Sequence, residues 1–280
     1  MNNKDYLNNI FSLKDRVIVV TGASGLLGKM HVSAIASQGG IPVIVDINEA
    51  GLNELHAHIL SEYAIECFIE IVDITNEEEL MSSSLRIIKK YGKIDGLLNN
   101  AARNPSITKK EKINFNRLES FDRSEWDLDL SVGITGSFLC IKYYGYQISL
   151  NKKGGSIVNI SSDLGIIAPN QSIYEQDGLA REKQPVKPVS YSVVKSALLG
   201  LSRYTASYWA NENVRSNCLL PGGVQTDQDD LFLSKLNDLI PLGRMANSNE
   251  YQAAIIFLLS DASSYMTGSN LIIDGGRSSW

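Results

Sequence analysis

Short runs of β-branched and aliphatic residues recur along the chain, and nearly every one is followed by a turn and a segment of helical periodicity. Residues 16–21 (RVIVVT), 41–46 (IPVIVD), 66–73 (ECFIEIVD), 94–99 (IDGLLN), 156–160 (SIVNI), 214–220 (VRSNCLL) and 271–274 (LIID) read as strands. Residues 26–38 and 49–63 read as the first two helices. Several of these strands lack the apolar–polar alternation of a sheet with one wet face, so both faces must be covered. Strand–helix–strand succession builds parallel pairs, because a parallel neighbour needs a crossover connection. The expected fold is α/β, a doubly wound, seven-stranded and mostly parallel sheet with helices on both faces.

One domain over residues 1–280 is expected, since no repeat, low-complexity tract or linker divides the sequence. A hydrophobic content of 44% suffices for a large core. The net charge of −5 gives no general attraction to nucleic acid or an anionic membrane, so neither is expected as a partner. Cys67, Cys140 and Cys218 are far apart and odd in number, which suits buried thiols of a reducing compartment rather than disulfides or a zinc site. With no signal-like N-terminus and no apolar run of membrane-spanning length, a cytoplasmic location is expected, with a small-molecule substrate as the partner.

Two stretches break the rhythm. Residues 103–120 carry Arg103, Lys109, Lys110, Lys112 and Arg117. Residues 163–190 hold three prolines. Both follow the carboxyl ends of strands, where open α/β sheets bind ligands, and long connections there are commonly functional.

The turn Thr21-Gly22-Ala23-Ser24-Gly25-Leu26-Leu27-Gly28 lies between the first strand and the first helix. Gly22 permits the tight exit, Gly25 lets the backbone approach a pyrophosphate, and Gly28 lets the helix pack closely. Alone, such a turn is equally an ordinary strand-to-helix connection. Asp46 changes the balance, because it ends the second strand 18 residues after Gly28. A carboxylate there accepts from the adenosine ribose hydroxyls and repels a 2′-phosphate. Ala23, Ser24, Ile47 and Asn48 offer no cation to neutralise that phosphate, so NAD is the expected cofactor, in a Rossmann-like fold.

Tyr191 and Lys195 stand at i and i+4 of a segment whose apolar positions Val194, Leu198 and Leu201 follow helical spacing. A phenol titrates near ~10 and makes a poor base at neutral pH. A neighbouring ammonium is expected to lower that value, as acid/base work on an alcohol requires.

In order and spacing the chain resembles the short single-domain branch of the short-chain dehydrogenase/reductase family over nearly its whole length. The matching segments are TGASGLLG (21–28), VDI (72–74), NNAA (99–102), VNISS (158–162), YSVVK (191–195), PGGVQT (221–226) and TGSNLIIDGG (267–276). The resemblance implies that Gly22, Ser24, Gly25, Leu26, Leu27, Gly28 and Asp46 hold the dinucleotide, and that Asp73 and Ile74 flank its adenine. It implies that Asn100 and Ala101 line the cofactor cleft, while Val224 and Thr226 hold the nicotinamide carboxamide. Lys195 would also bind the nicotinamide ribose. Tyr191 would exchange a proton with the substrate oxygen, which Ser162 would hydrogen-bond, with Arg103 near the substrate and no metal required. Ser161 would face the backbone. Similar enzymes form homodimers or homotetramers through two helices, here beginning near Ser131 and Ser190. The second carries Leu198, Leu201, Tyr204, Tyr208 and Trp209.

Three departures stand out. Leu26 occupies a position that is usually glycine, a spacing commoner in nucleotide-sugar epimerases and dehydratases. Gly133 replaces the family asparagine that anchors a water in the proton relay. And 28 residues separate Ser162 from Tyr191, far more than in similar enzymes, which implies a lid-like insertion at about 163–189. Its Arg181, Lys183 and Lys187, with the run near Lys110, could frame an anionic substrate or could simply be solvated. The expected activity is interconversion of a secondary alcohol and ketone on a polar, sugar-derived substrate such as a sugar phosphate or nucleotide sugar. An epimerase or dehydratase with recycled NAD, and a non-catalytic NAD-binding regulator, remain the alternatives. A looser resemblance points to members that serve flagellin modification and surface-sugar biosynthesis.

Overall fold

In the computed structural model, which describes residues 9–103 and 116–280, seven strands form one sheet. They are β1 (Val17–Thr21), β2 (Ile41–Asp46), β3 (Phe68–Ile71), β4 (Gly96–Asn99), β5 (Gly155–Ile160), β6 (Val214–Pro221) and β7 (Asn270–Ile273). Their order is β3-β2-β1-β4-β5-β6-β7, and every pairing is parallel. The order reverses between β1 and β4, so the crevice at their carboxyl ends is a topological switch point.

Side-chain alternation sends each strand to two cores at once. Ile18, Val20, Ile44, Leu98 and Val158 pack on one face under helices α1 (Leu26–Ser37), α2 (Glu49–Tyr63) and, near the C-terminus, α7 (Gln252–Leu259). Val17, Val19, Val43, Val45, Leu97 and Ile157 pack on the other, under α3 (Glu77–Tyr91) and α4 (residues 123–149). Leu201 and Trp209, from or just after α5 (Val189–Tyr208), join this second core.

The edge strand β3 is shorter than the run 66–73 suggests, because only Phe68–Ile71 find partners on β2. Helix α4 begins earlier than Ser131. Asp122 accepts from the Ser124 N–H and caps a polar first segment, Arg123–Leu130, whose weak apolar pattern hides it. Two π turns, Ser131–Thr135 and Ile141–Gly145, interrupt α4.

The insertion at 163–189 folds through short 3₁₀ turns at Asp163–Gly165, Gln171–Tyr174 and Arg181–Lys183. Gln171 pairs with the Lys187 backbone in both directions, and the Gln184 amide bridges Gln176 and Leu179. Ile173 and Tyr174 pack with Phe232 and Leu236 of helix α6 (Asp230–Asn237), and with Ile240 and Met245, as a separate small core. Burying each such apolar side chain contributes about 1.5–3 kcal/mol, enough to hold the flap against the body of the protein.

Candidate active site

A cleft of about 1260 Å³ opens at the carboxyl ends of the central strands, lined by the predicted cofactor positions and by Ser162, Tyr191, Lys195 and Arg103. Its cofactor end begins with the glycine turn. Gly22 has φ +62°, and a Cβ there would stand 2.7 Å from the Ala101 Cα. The Asn100 amide donates to the carbonyls of Thr21 and Gly22, both at 3.0 Å, and the N–H groups of Asn100 and Ala101 donate to Thr21 Oγ1 at 3.1 Å. Asn100 and Ala101 therefore do more than line the cleft, since they fasten the turn to the end of β4. A Cβ at Gly28 would come within 2.2 Å of the Gly22 carbonyl oxygen, so α1 can start against the turn only with glycine there.

The turn closes at Gly25, which leaves the Leu26 side chain outside, 51% exposed. No side chain caps α1. Leu26, Leu27 and Gly28, which carry its first N–H groups, line the cleft, and an uncapped helix N-terminus favours an anion. Asp46 is held beside it: Ser24 donates to Oδ2 through its N–H (3.0 Å) and its hydroxyl (2.7 Å), and the Asn48 N–H donates to Oδ1 (3.1 Å). The uncapped N–H groups, the glycine-lined wall and the fixed carboxylate fit a dinucleotide.

Asp73 and Ile74 follow β3 along the same wall. Asp73 Oδ1 accepts from the N–H and hydroxyl of Thr75, and buried Ile74 meets Gly136 of α4. Val224 and Thr226 follow β6, where the Gln228 side chain spans them, accepting from the Thr226 N–H at 2.7 Å and donating to the Val224 carbonyl at 3.1 Å. No sequence pattern marks Gln228.

At the other end, α5 is locked to the end of β5. Lys195 Nζ donates to the Ile160 carbonyl (2.8 Å), the Ser161 hydroxyl to the Lys195 carbonyl (2.7 Å), and the Ser196 hydroxyl to the Gly165 carbonyl (2.9 Å). This places the Tyr191 phenol against Ser162, as its neighbour Ser161 faces backbone. Lys195 Nζ lies 5.7 Å from the Tyr191 ring centre.

The electrostatics differ from the expectation of a lowered phenol. Burial pushes Tyr191 up, and the Ser162 hydrogen bond and the Arg277 charge only partly oppose it. Burial also lowers Lys195 to about 8, helped by the like charge of Lys187. In a dry site each group leans to its neutral form, so an ammonium directed at a β5 carbonyl does not bring the phenol down.

The cationic residues divide sharply. Lys187 lines the cleft, 3.8 Å from the Tyr191 ring centre, and burial lowers it to about 8. Arg181 and Lys183 are exposed and are not among the lining residues. Arg103 reaches the cleft but is bound to Glu125 (2.6 Å) and Asp129 (2.9 Å) of α4, and Asp129 also accepts from Ser190. Its role in substrate contact is thereby weakened. Lys109, Lys110 and Lys112 lie outside the described residues. Gly133 faces Val194, whose Cγ1 would stand 2.4 Å from a Cβ at 133, so the space of the absent asparagine side chain is filled.

Two charged residues, Asp163 and Arg277, lie outside the sequence motifs. They form a buried ion pair beside Ser162, with 2.9 Å between Arg277 Nη1 and Asp163 Oδ2. Asp163 could have been noticed as the acid adjacent to Ser162, but no local pattern marks Arg277.

Residues 16–175 match the family model described as short chain dehydrogenase, and residues 178–278 match a second, Enoyl-(Acyl carrier protein) reductase. The chain is 30% identical to post-translational flagellin modification protein A of Campylobacter coli, over 94% of this chain and 98% of that one. It is 31% identical to an NAD-dependent glycerol dehydrogenase of Listeria innocua, over 95% of each. Among solved structures it resembles a gluconate 5-dehydrogenase of Burkholderia cenocepacia, in complex with NADP and tartrate. The TM-score is 0.81 at 25% identity, covering 97% of this chain and 98% of that one.

Proposed function

The chain belongs to the short-chain dehydrogenase/reductase family, and from that premise we propose that it interconverts a secondary alcohol and a ketone on a polar, sugar-derived substrate, with NAD as the hydride carrier. The observation that carries this reading is the cleft itself, with Asp46 and the uncapped α1 terminus at one end and Ser162, Tyr191 and Lys195 at the other. A nicotinamide cofactor, once bound in this cleft, would supply or accept the hydride. In reduction, Tyr191 gives its phenolic proton to the carbonyl oxygen; in oxidation it takes the proton from the alcohol. Burial keeps that phenol protonated at neutral pH, which suits the reductive step as the site stands. Ser162 hydrogen-bonds the reacting oxygen, and the Lys195 charge stabilises the alkoxide as negative charge develops on it.

NAD rather than NADP is supported by Asp46, whose carboxylate, fixed by Ser24 and Asn48, would face a 2′-phosphate with repulsion. An anionic substituent on the substrate is supported by Lys187, a cation brought to the reacting end by the insertion. The relatives named for glycerol and gluconate dehydrogenation are consistent with a polyhydroxylated substrate. The test is a panel of polyols, sugar acids, sugar phosphates and nucleotide sugars, each offered with NAD and NADP and followed by absorbance of the reduced cofactor. Turnover of a secondary alcohol with NAD supports the reading. Activity that needs no added cofactor would favour an epimerase or dehydratase instead.

A homodimer or homotetramer built on α4 and α5 is part of the same proposal. Tyr204 and Tyr208 of α5 are 67% and 64% exposed and stack at 5.7 Å, with half-exposed Phe138 and Tyr146 on α4. A cytoplasmic location is supported by three free, buried cysteines. Among the described residues no helix is long and apolar enough to cross a membrane.

A further inference from the structure

The Ser162 hydroxyl has one proton, and Asp163 holds it. Ser162 Oγ donates to Asp163 Oδ1 at 2.7 Å, and the same Oδ1 accepts from the Leu164 N–H at 2.8 Å. The other oxygen, Oδ2, accepts from Arg277 Nη1 at 2.9 Å, and the two side chains are only 2% and 8% exposed. Arg277 is delivered by a rigid turn after β7. There Asp274 accepts from the N–H groups of Gly276 (2.9 Å) and Ser278 (2.8 Å), and Gly276 sits at φ +88°.

A serine that donates to a carboxylate cannot at the same moment donate to a substrate oxygen or to a phenolate. Ser162 Oγ also accepts from the Leu164 N–H at 3.2 Å, which leaves one lone pair to accept from the Tyr191 phenol or from a substrate alcohol. For Ser162 to stabilise developing negative charge, its hydroxyl must rotate about Cβ–Oγ away from Asp163. No proton changes owner in that rotation. How readily it happens depends on how strongly Asp163 attracts the proton, which Arg277 moderates by neutralising the carboxylate.

We propose that Asp163 and Arg277 act together as positioning residues, setting the direction of the Ser162 hydroxyl and, through it, how tightly Tyr191 holds its proton. This rests on the assignment of Tyr191 as the acid/base. The charges bear on Tyr191 in opposite senses, Asp163 raising the phenol and Arg277 lowering it. The other groups around the phenol are Lys195 on α5, Lys187 and Tyr174 on the insertion, and, through Ser190, Asp129 of α4 with its partner Arg103. None of these residues is substituted in the variants that test the ion pair.

The test titrates Tyr191 directly, by the tyrosinate absorbance of each protein minus that of its Tyr191→Phe counterpart. This readout needs neither substrate nor cofactor. Arg277→Gln should raise the Tyr191 midpoint by about one pH unit and Asp163→Asn should lower it by a similar amount. Arg277→Lys should restore most of the shift. The double variant Asp163→Asn/Arg277→Gln removes both charges, so it leaves no buried ion unpaired and should return near the wild-type value. It also serves where a single variant does not fold. Structural damage would shift both single variants the same way. Midpoints that do not move, or move in one direction, would overturn the proposal. Tyr191→Phe turnover is scored separately: if that variant stays active, the acid/base assignment fails whatever the titration shows.

Discussion

Lys187 Nζ lies 3.8 Å from the centre of the Tyr191 ring, on an insertion anchored by the Gln171 amide. With Lys195 Nζ 5.7 Å from the same ring, two ammonium groups flank one phenol. Burial brings each of them to about 8, and Lys187 helps to depress Lys195.

A consequence in pH follows. A lysine lowered to about 8 is charged below that pH and neutral above it. The rate of ketone reduction should therefore fall above about pH 8, as Lys195 loses its charge. Lys187→Met removes the like charge, so this alkaline limb should move to higher pH. The same change should raise KM for an anionic substrate about tenfold or more, roughly 1.4 kcal/mol, and leave NAD affinity nearly unchanged. Arg181→Gln and Lys183→Gln should not alter KM, since neither side chain lines the cleft. Steady-state profiles of the three variants check each statement.

Asp46→Ala should weaken NAD binding by about tenfold and narrow the gap to NADP. It removes the acceptor that Ser24 and Asn48 hold in place. Fluorescence titration with both cofactors measures this, and a wild-type preference for NADP would contradict the assignment.

Gly133 and Val194 should be coupled in stability. Gly133→Ala places a Cβ 2.4 Å from Val194 Cγ1 and should cost about 1–3 kcal/mol. Val194→Ala makes room, so the double variant should be more stable than the sum of the two single changes predicts. Denaturant unfolding of all four proteins gives the interaction energy.

Much of this was legible in the sequence, for a physical reason. β1, β2 and β5 are buried on both sides, so their composition alone marks them, and the spacing from Gly28 to Asp46 fixes a carboxylate near the turn. What remained hidden depends on contacts distant in sequence. Ile173 meets Leu236 in the small core, and Arg277 reaches Asp163 across 114 positions. No local periodicity encodes either. The basic residues of the insertion read as one cluster, yet the fold turns Lys187 inward and leaves Arg181 and Lys183 exposed. Residues 123–130 read as polar, so the early start of α4 rests on the Asp122 cap rather than on an apolar stripe.

Sedimentation at micromolar concentration should show a dimer or tetramer. Tyr204→Glu with Tyr208→Glu should shift it to monomer, because both rings are largely exposed on α5. A monomeric wild type would contradict the interface.

The most direct measurement compares wild type with Tyr191→Phe, using any secondary alcohol found to turn over with NAD. NADH formation is followed by absorbance and NAD affinity by titration on the same samples. Loss of the phenolic proton path should reduce kcat by about 100-fold or more, with NAD affinity changed less than about twofold. A variant that keeps most of its activity would contradict Tyr191 as the acid/base, and with it the mechanism assigned to this cleft.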